Sequence, residues 1–123
     1  MRELTDSEWE IMSALWANEN SCTLGEIRAF LANNKKSWAA NTVQTFLVRL
    51  ERKGAIRIDK SCTPHRYTAA KPRETYERRE VEKLQSRVFR GSRTRMLSAF
   101  LESEKISEEE LEQLKKLVEE KLR

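Results

Sequence analysis

Glycine and proline are scarce in this 123-residue sequence, at three and two residues. That leaves no supply for a glycine-rich phosphate loop or a proline-rich linker. Two cysteines, Cys22 and Cys62, are too few for a disulfide framework or a four-ligand zinc centre, and His65 is the sole histidine. No nucleophile and base stand at a recognisable spacing. The chain therefore reads as a non-enzyme, with no catalytic residues, no metal, no cofactor and no small-molecule substrate. No apolar run nears the roughly 18 residues of a membrane span, and residues 1–6 lack the basic-then-apolar build of a signal peptide. The expectation is a cytoplasmic protein.

Charge, by contrast, is plentiful: 24 Lys and Arg stand against 20 Asp and Glu, a net +4. Resolved along the chain, that modest sum is a remainder. Residues 1–27 hold one base and six acids, whereas residues 28–66 hold nine bases against Glu51 and Asp59 alone. Residues 67–95 add nine bases to four acids, and residues 96–123 return to five bases and eight acids. A basic middle between acidic ends is the pattern a polyanion-binding face produces, although a merely solvated basic face would look the same.

Thr5-Asp6-Ser7-Glu8 is a capping box, in which a hydroxyl satisfies orphan helix N–H groups while the Glu three residues on reaches back. It opens a first helix with Trp9, Ile11, Met12, Leu15 and Trp16 on one side, ended by the turn-forming residues 18–20. After a brief extended link at Ser21-Cys22, Thr23-Leu24-Gly25-Glu26 repeats the box. Leu24, Ile27, Phe30 and Leu31 form the second stripe, which ends near Asn33-Asn34. A third helix is expected from Ala39 or Ala40 to Lys53, with Gly54 as its C-terminal cap. Val43, Phe46, Leu47 and Leu50 make its buried side. Its other side carries Asn41, Thr42, Gln44, Thr45, Arg49, Arg52 and Lys53.

Residues 55–60 and 66–69 alternate in character around the loop 61–65, as a β-hairpin does. Three helices followed by a hairpin is the order of a winged helix-turn-helix, the hairpin being the wing. Lys71-Pro72-Arg73 marks a boundary between a DNA-binding domain of residues 1–70 and a helical domain of residues 71–123. In the latter a fourth helix spans Glu74 to about Phe89 and is stopped by Gly91. A short fifth holds Met96, Leu97, Phe100 and Leu101, and a sixth opens at the capping box Ser107-Glu108-Glu109-Glu110. The fold class is thus mainly α: a winged helix-turn-helix followed by a three-helix dimerisation region.

Three helices in about 50 residues do not readily close a core of their own. Two copies sharing these helices solve the problem. The interface would then take Val81, Leu84, Val88, Phe89, Met96, Leu97, Phe100, Leu101, Leu111, Leu114, Leu117, Val118 and Leu122. The alternative is a tail that folds back on its own N-terminal domain. Cys22 and Cys62 read as a buried residue and a loop residue rather than redox sensors, and the acids 108–110 suit a helix N-terminus better than a metal.

A helix lying in the major groove needs short polar side chains near its N-terminal end and long basic ones where it meets phosphates. Asn41, Thr42, Gln44 and Thr45 are the candidate base contacts. Lys35, Lys36, Arg49 and Lys53 suit backbone phosphates, as do Lys60 and Arg66 flanking the hairpin tip, with His65 beside them. The competing reading is a winged-helix adaptor that binds protein and lacks sequence-specific DNA binding.

These residues also resemble a known family. Glu8-Trp9-Glu10-Ile11-Met12 with Trp16 looks like the first helix of the penicillinase repressor family, the BlaI, MecI and CopY type. Trp38-x-x-x-Thr42-Val43-x-Thr45-x-Leu47-x-Arg49-Leu50-x-x-Lys53-Gly54 is similar to its recognition helix, and Arg66-Tyr67 to its wing strand. Phe89-x-Gly91 and Leu101-x-x-x-x-Ile106-Ser107 extend a looser likeness through the tail. The resemblance implies a homodimeric winged-helix repressor that sits on an inverted-repeat operator and blocks transcription, with the residues matching Thr42 and Thr45 facing bases. Ala40 and Asn41 depart from the Pro or Asp and the Lys common before the matching threonine. The copper-sensing branch carries paired Cys-x-Cys motifs near its C-terminus, whereas the last cysteine here is Cys62. The β-lactam-responsive branch is nearer, which implies an antibiotic response in which a membrane-bound sensor metalloprotease cuts the repressor. The matching place is Ala99-Phe100, where family repressors tend to have Asn-Phe; Phe100 also reads as an interface aromatic.

Overall fold

The computed structural model describes residues 3–103 and 105–123, the side chain of Ser103 apart. Met1 and Arg2, which begin the stretch inspected for a signal peptide, lie outside the described residues. In chain order the elements are α1 (Asp6–Ala17), β1 (Ser21–Thr23), α2 (Leu24–Asn33), α3 (Ala40–Arg52), β2 (Ile56–Asp59), β3 (Arg66–Ala69), α4 (Arg73–Arg87), α5 (Arg93–Ser103) and α6 (Glu108–Leu122). Three helices with a small antiparallel sheet make a winged helix-turn-helix, as the sequence order predicts. Contacts divide the chain into two compact units, Met1–Glu77 and Arg78–Arg123.

Both capping boxes form. The Thr5 hydroxyl accepts from the Glu8 amide while the Glu8 carboxylate accepts from the Thr5 amide, and Thr23 and Glu26 do the same for α2. Gly54 closes α3 at φ +76°, a left-handed conformation that glycine adopts without a Cβ penalty. The stripes of the three helices meet in one core containing Ile11, Met12, Leu15, Ile27, Leu31, Val43, Leu47 and Leu50, all essentially without solvent contact. Cys22 is buried there as well, its thiol donating to the Ala14 carbonyl at 3.5 Å. Burial pushes that thiol's pKa up, and the nearby Glu26 carboxylate adds to the effect. A thiolate is therefore disfavoured.

The sheet has one strand more than the hairpin. Its order is β1-β3-β2, all antiparallel, with Ser21 opposite Thr68 and Ile56 opposite Ala69. The link at residues 21–23 is thus a strand, whose partner lies more than forty residues downstream and leaves no local signature. Phe46 is only half-buried, tilted on Trp38 with ring centroids 5.5 Å apart.

The first turn of α4 belongs to the first unit. Tyr76 is buried between Trp9 and Trp16, the Trp16 ring N–H donates to the Lys71 carbonyl at 3.1 Å, and the Arg73 guanidinium lies 5.9 Å from the Trp16 ring. Sequence periodicity did not single out Tyr76, because its partners lie sixty residues upstream.

The second unit has a different economy of burial. Within it neither α5 nor α6 has a fully buried side chain among the described residues. The expected leucine stripe of α6 is instead open, with Leu122 82% exposed. Gly91, at φ +85°, turns the chain after α4, and Ser107 caps α6 by accepting from the Glu110 amide at 3.1 Å. Among the described residues no helix is long and apolar enough to cross a membrane.

Candidate nucleic-acid interface

The interface is built by burying one side of α3. Val43, Leu47 and Leu50 face the core, so geometry at about 3.6 residues per turn turns Asn41, Thr42, Gln44 and Thr45 outward, and all four are exposed. Thr45 spends its hydroxyl proton on the Asn41 carbonyl, at 2.9 Å. It therefore offers an acceptor oxygen and a methyl group to an incoming surface, not a donor. The side-chain amides of Asn41 and Gln44 and the Thr42 hydroxyl can each both donate and accept.

The N-terminal end of α3 is held from outside the helix. Trp38 packs on Phe46, and the Arg28 guanidinium donates to the Trp38 carbonyl at 3.4 Å, tying α2 to the approach segment. Ala39 provides no side-chain cap, in contrast to Thr5 and Thr23. The first-turn N–H groups of α3 thus receive no side-chain cap from the residue that precedes the helix.

The basic residues divide by their present partners. Lys35 is exposed on the α2–α3 turn at φ +62°, with Lys36 half-buried beside it. Lys60 is exposed at the hairpin. The Arg49 guanidinium sits 5.7 Å from the Phe46 ring centroid, a cation–π placement that leaves its N–H edges available. Lys53 and Arg66 are occupied internally. The Lys53 ammonium pairs with the Glu8 carboxylate and also donates to the Glu3 carbonyl at 2.9 Å. Arg66 donates to the Ser21 hydroxyl at 3.1 Å and lies 3.7 Å from Glu26.

The Lys53–Glu8 pair is a buried one. The Glu8 side chain is 1% exposed and that of Lys53 18%. Burial pushes the Glu8 pKa up, but hydrogen bonds from Lys53 and from the Thr5 amide, with the Lys53 charge, outweigh it and hold the group below its ordinary 4.5. Glu8 Oε2 is buried without a hydrogen-bond partner, so the carboxylate depends heavily on this one cation. The pair joins the start of α1 to the end of α3. Sequence reasoning could not find it, because the partners are 45 residues apart and each has a ready local explanation as a cap residue or a phosphate contact.

Two outward residues of α3 were not among the expected contacts. Val48 and Arg52 continue the stripe set by Asn41 and Thr45 at helical spacing, and both are exposed. Among the described residues, no group of three or more His, Cys, Asp or Glu side chains is arranged to hold a metal.

In the second unit, Val81, Leu84, Phe89, Met96, Leu97, Ala99 and Phe100 line an almost wholly apolar groove of about 470 Å³. Most of the residues expected at a dimer interface are exposed here, among them Val81, Leu84, Val88, Leu97, Phe100, Leu101, Leu111, Leu117 and Val118, while Phe89, Met96 and Leu114 are half-buried.

Comparison with known proteins follows the same outline. The family model described as "Penicillinase repressor" matches residues 4–120. The penicillinase repressor of Bacillus licheniformis is 28% identical over 118 residues, covering 96% of this chain and 91% of that protein. The methicillin resistance regulatory protein MecI of Staphylococcus aureus strain N315 is 24% identical, covering 97% and 95%. Among solved structures, monomeric Bacillus licheniformis BlaI in complex with the blaP half-operator superposes with a TM-score of 0.51 at 29% identity, over 61% of this chain and 89% of that one. A MarR family protein from Bacillus stearothermophilus gives 0.50 at 25% identity, over 99% and 78%.

Proposed function

The chain belongs to the penicillinase repressor family, and from that premise we propose that two copies of it, joined through their C-terminal helices, occupy an inverted-repeat operator and block transcription. Members of the family are DNA-binding transcriptional repressors, and so is this chain. In the finer reading α3 enters the major groove. Asn41 pairs with an adenine edge, Thr42 and Thr45 offer oxygens or methyl groups to bases, and Gln44 reaches a further base. Lys35, Lys36, Arg49 and Lys60 neutralise phosphates, and the uncapped N–H groups of α3 add to them. Lys53 and Arg66 serve this face differently from the free lysines: each braces an element of the head against another, so their contribution to binding comes through the position of α3 and of the wing. Function at operator DNA puts the working protein in the cytoplasm.

The observation that carries this reading is the exposed, hydrogen-bonding face of α3 set opposite its buried stripe. Pairing rests on the open apolar side of the tail, which a second copy covers by symmetry. A sensor metalloprotease cutting at Ala99-Phe100 would relieve repression by separating the heads from the helices that join them. That bond lies within α5, so cutting requires the helix to open locally.

Selection of duplexes from a randomised pool by the full-length protein tests the proposal. Enrichment of an inverted repeat supports it, with Thr42→Ala relaxing preference at one position of each half-site. Equal binding to selected and random duplexes overturns it.

A further inference from the structure

Val48 is 42% exposed, and every other exposed large hydrophobic among the described residues lies at Val81 or beyond. The first unit therefore at least half-buries all its described large apolar side chains except one, and that one stands in the middle of the face proposed to meet DNA. Val48 follows Asn41 by seven residues and Thr45 by three, and precedes Arg52 by four, so the four side chains form one stripe along α3. Val43, Leu47 and Leu50 occupy the opposite side, in the core.

Nothing in helix formation favours a valine there. Its β-branched side chain is restricted at χ1 and lowers helix propensity relative to Lys, Gln or Glu. Its exposure forgoes the burial that makes valine useful in a core. The same stiffness becomes an advantage at a binding surface, where a side chain already confined to one rotamer loses little entropy on docking. Its two methyl groups can neither donate nor accept a hydrogen bond, and they carry no charge for a phosphate. In the major groove the thymine C5-methyl is the one apolar group on the base edges.

We propose that Val48 is a specificity-determining residue that packs on a thymine methyl group in each half-site, between bases read by Asn41 and Thr45 on one side and a contact made by Arg52 on the other. This rests on the DNA-reading role of α3. It goes beyond that role by assigning an apolar reader to a face otherwise made of hydrogen-bonding and basic groups.

The test uses the full chain and a duplex enriched by it from a randomised pool, with each thymine of a half-site replaced in turn by deoxyuridine, which lacks only the C5-methyl. Wild type is expected to lose about three- to fivefold in affinity at one thymine, the effect of leaving one methyl group unburied. Val48→Ala should bind the parent duplex more weakly and lose nothing further at that thymine, while Val48→Ile keeps the sensitivity. An unchanged melting temperature for Val48→Ala separates the effect from folding, since the side chain is exposed. If no thymine shows a loss in wild type, or if Val48→Ala shows the same loss, the proposal is overturned while the α3 reading survives on the enriched sequence. If no duplex is enriched at all, both fall.

Discussion

The two units of this chain spend their apolar residues in opposite ways. The first closes a core around Ile11, Leu15, Ile27, Leu31, Leu47 and Leu50 and leaves Val48 as its one exposed large hydrophobic among the described residues. The second, richer in helix, leaves Val81, Leu84, Leu97, Phe100, Leu117 and Val118 open. Under the pairing proposed above, the first unit is stable by itself and the stability of the second depends on protein concentration. Reading DNA requires the rigidity of the first. In the proposed dimer, the open surface of the second is what joins two readers.

The largest effects should appear where the head depends on a single buried contact. Lys53→Met leaves the Glu8 carboxylate buried and unpaired, and should destabilise the first unit by about 3–5 kcal/mol in denaturant titration. The double variant Glu8→Leu with Lys53→Met should recover most of that loss. A similar result for Lys121→Met, on exposed α6, would contradict the contrast between the units.

Charge on the open side of the tail comes next. Leu97→Asp should leave the head folded but shift the protein to monomers in sedimentation equilibrium, and should weaken binding to a two-half-site duplex by about 100-fold or more as linked binding is lost. Dimers of undiminished stability would show that the groove around Leu97 and Phe100 is not where copies meet.

Within the reading face the effects are smaller. Thr42→Ala should cost about 1–3 kcal/mol at the matched base and little at others, measured as competition between duplexes. Lys60→Ala should weaken binding to all duplexes alike and reduce the slope of log affinity against log salt by about one, because one phosphate contact is lost. Arg66→Ala should alter that slope less than Lys60→Ala, since Arg66 already pairs with Ser21 and Glu26.

The Glu8 carboxylate also sets an acid limit. Its folded-state pKa lies below the ordinary 4.5, so its contribution is fully present above that value and is lost as pH falls from about 4.5 through the folded pKa. Glu8→Gln should flatten the pH dependence of stability in that window, as followed by thermal melts between pH 3 and pH 6, a span chosen to cover the usual carboxylate range of about 3.9–4.3.

Local signals account for what was legible in the sequence. Thr5 with Glu8, Thr23 with Glu26, and Gly54 act within a turn of their own position, so the helix starts and the end of α3 could be read directly. The outward residues of α3 were legible because Val43, Leu47 and Leu50 fix which side is inward. Contacts between distant residues were not. Strand β1 exists only through its pairing with β3, Lys53 looks like a phosphate ligand until Glu8 is seen opposite it, and Arg66 looks free until Ser21 lies beside it. Val48 lacks a sequence signal for another reason: a single valine outside the apolar stripe of α3 has no periodicity to mark it.

Titration of the full chain against two duplexes at one salt concentration tests the division between reading and joining most directly. One duplex carries two inverted copies of the selected half-site, and the other has the second copy scrambled. Shared tails predict binding at least about 100-fold tighter to the first. Equal affinity for the two would contradict it.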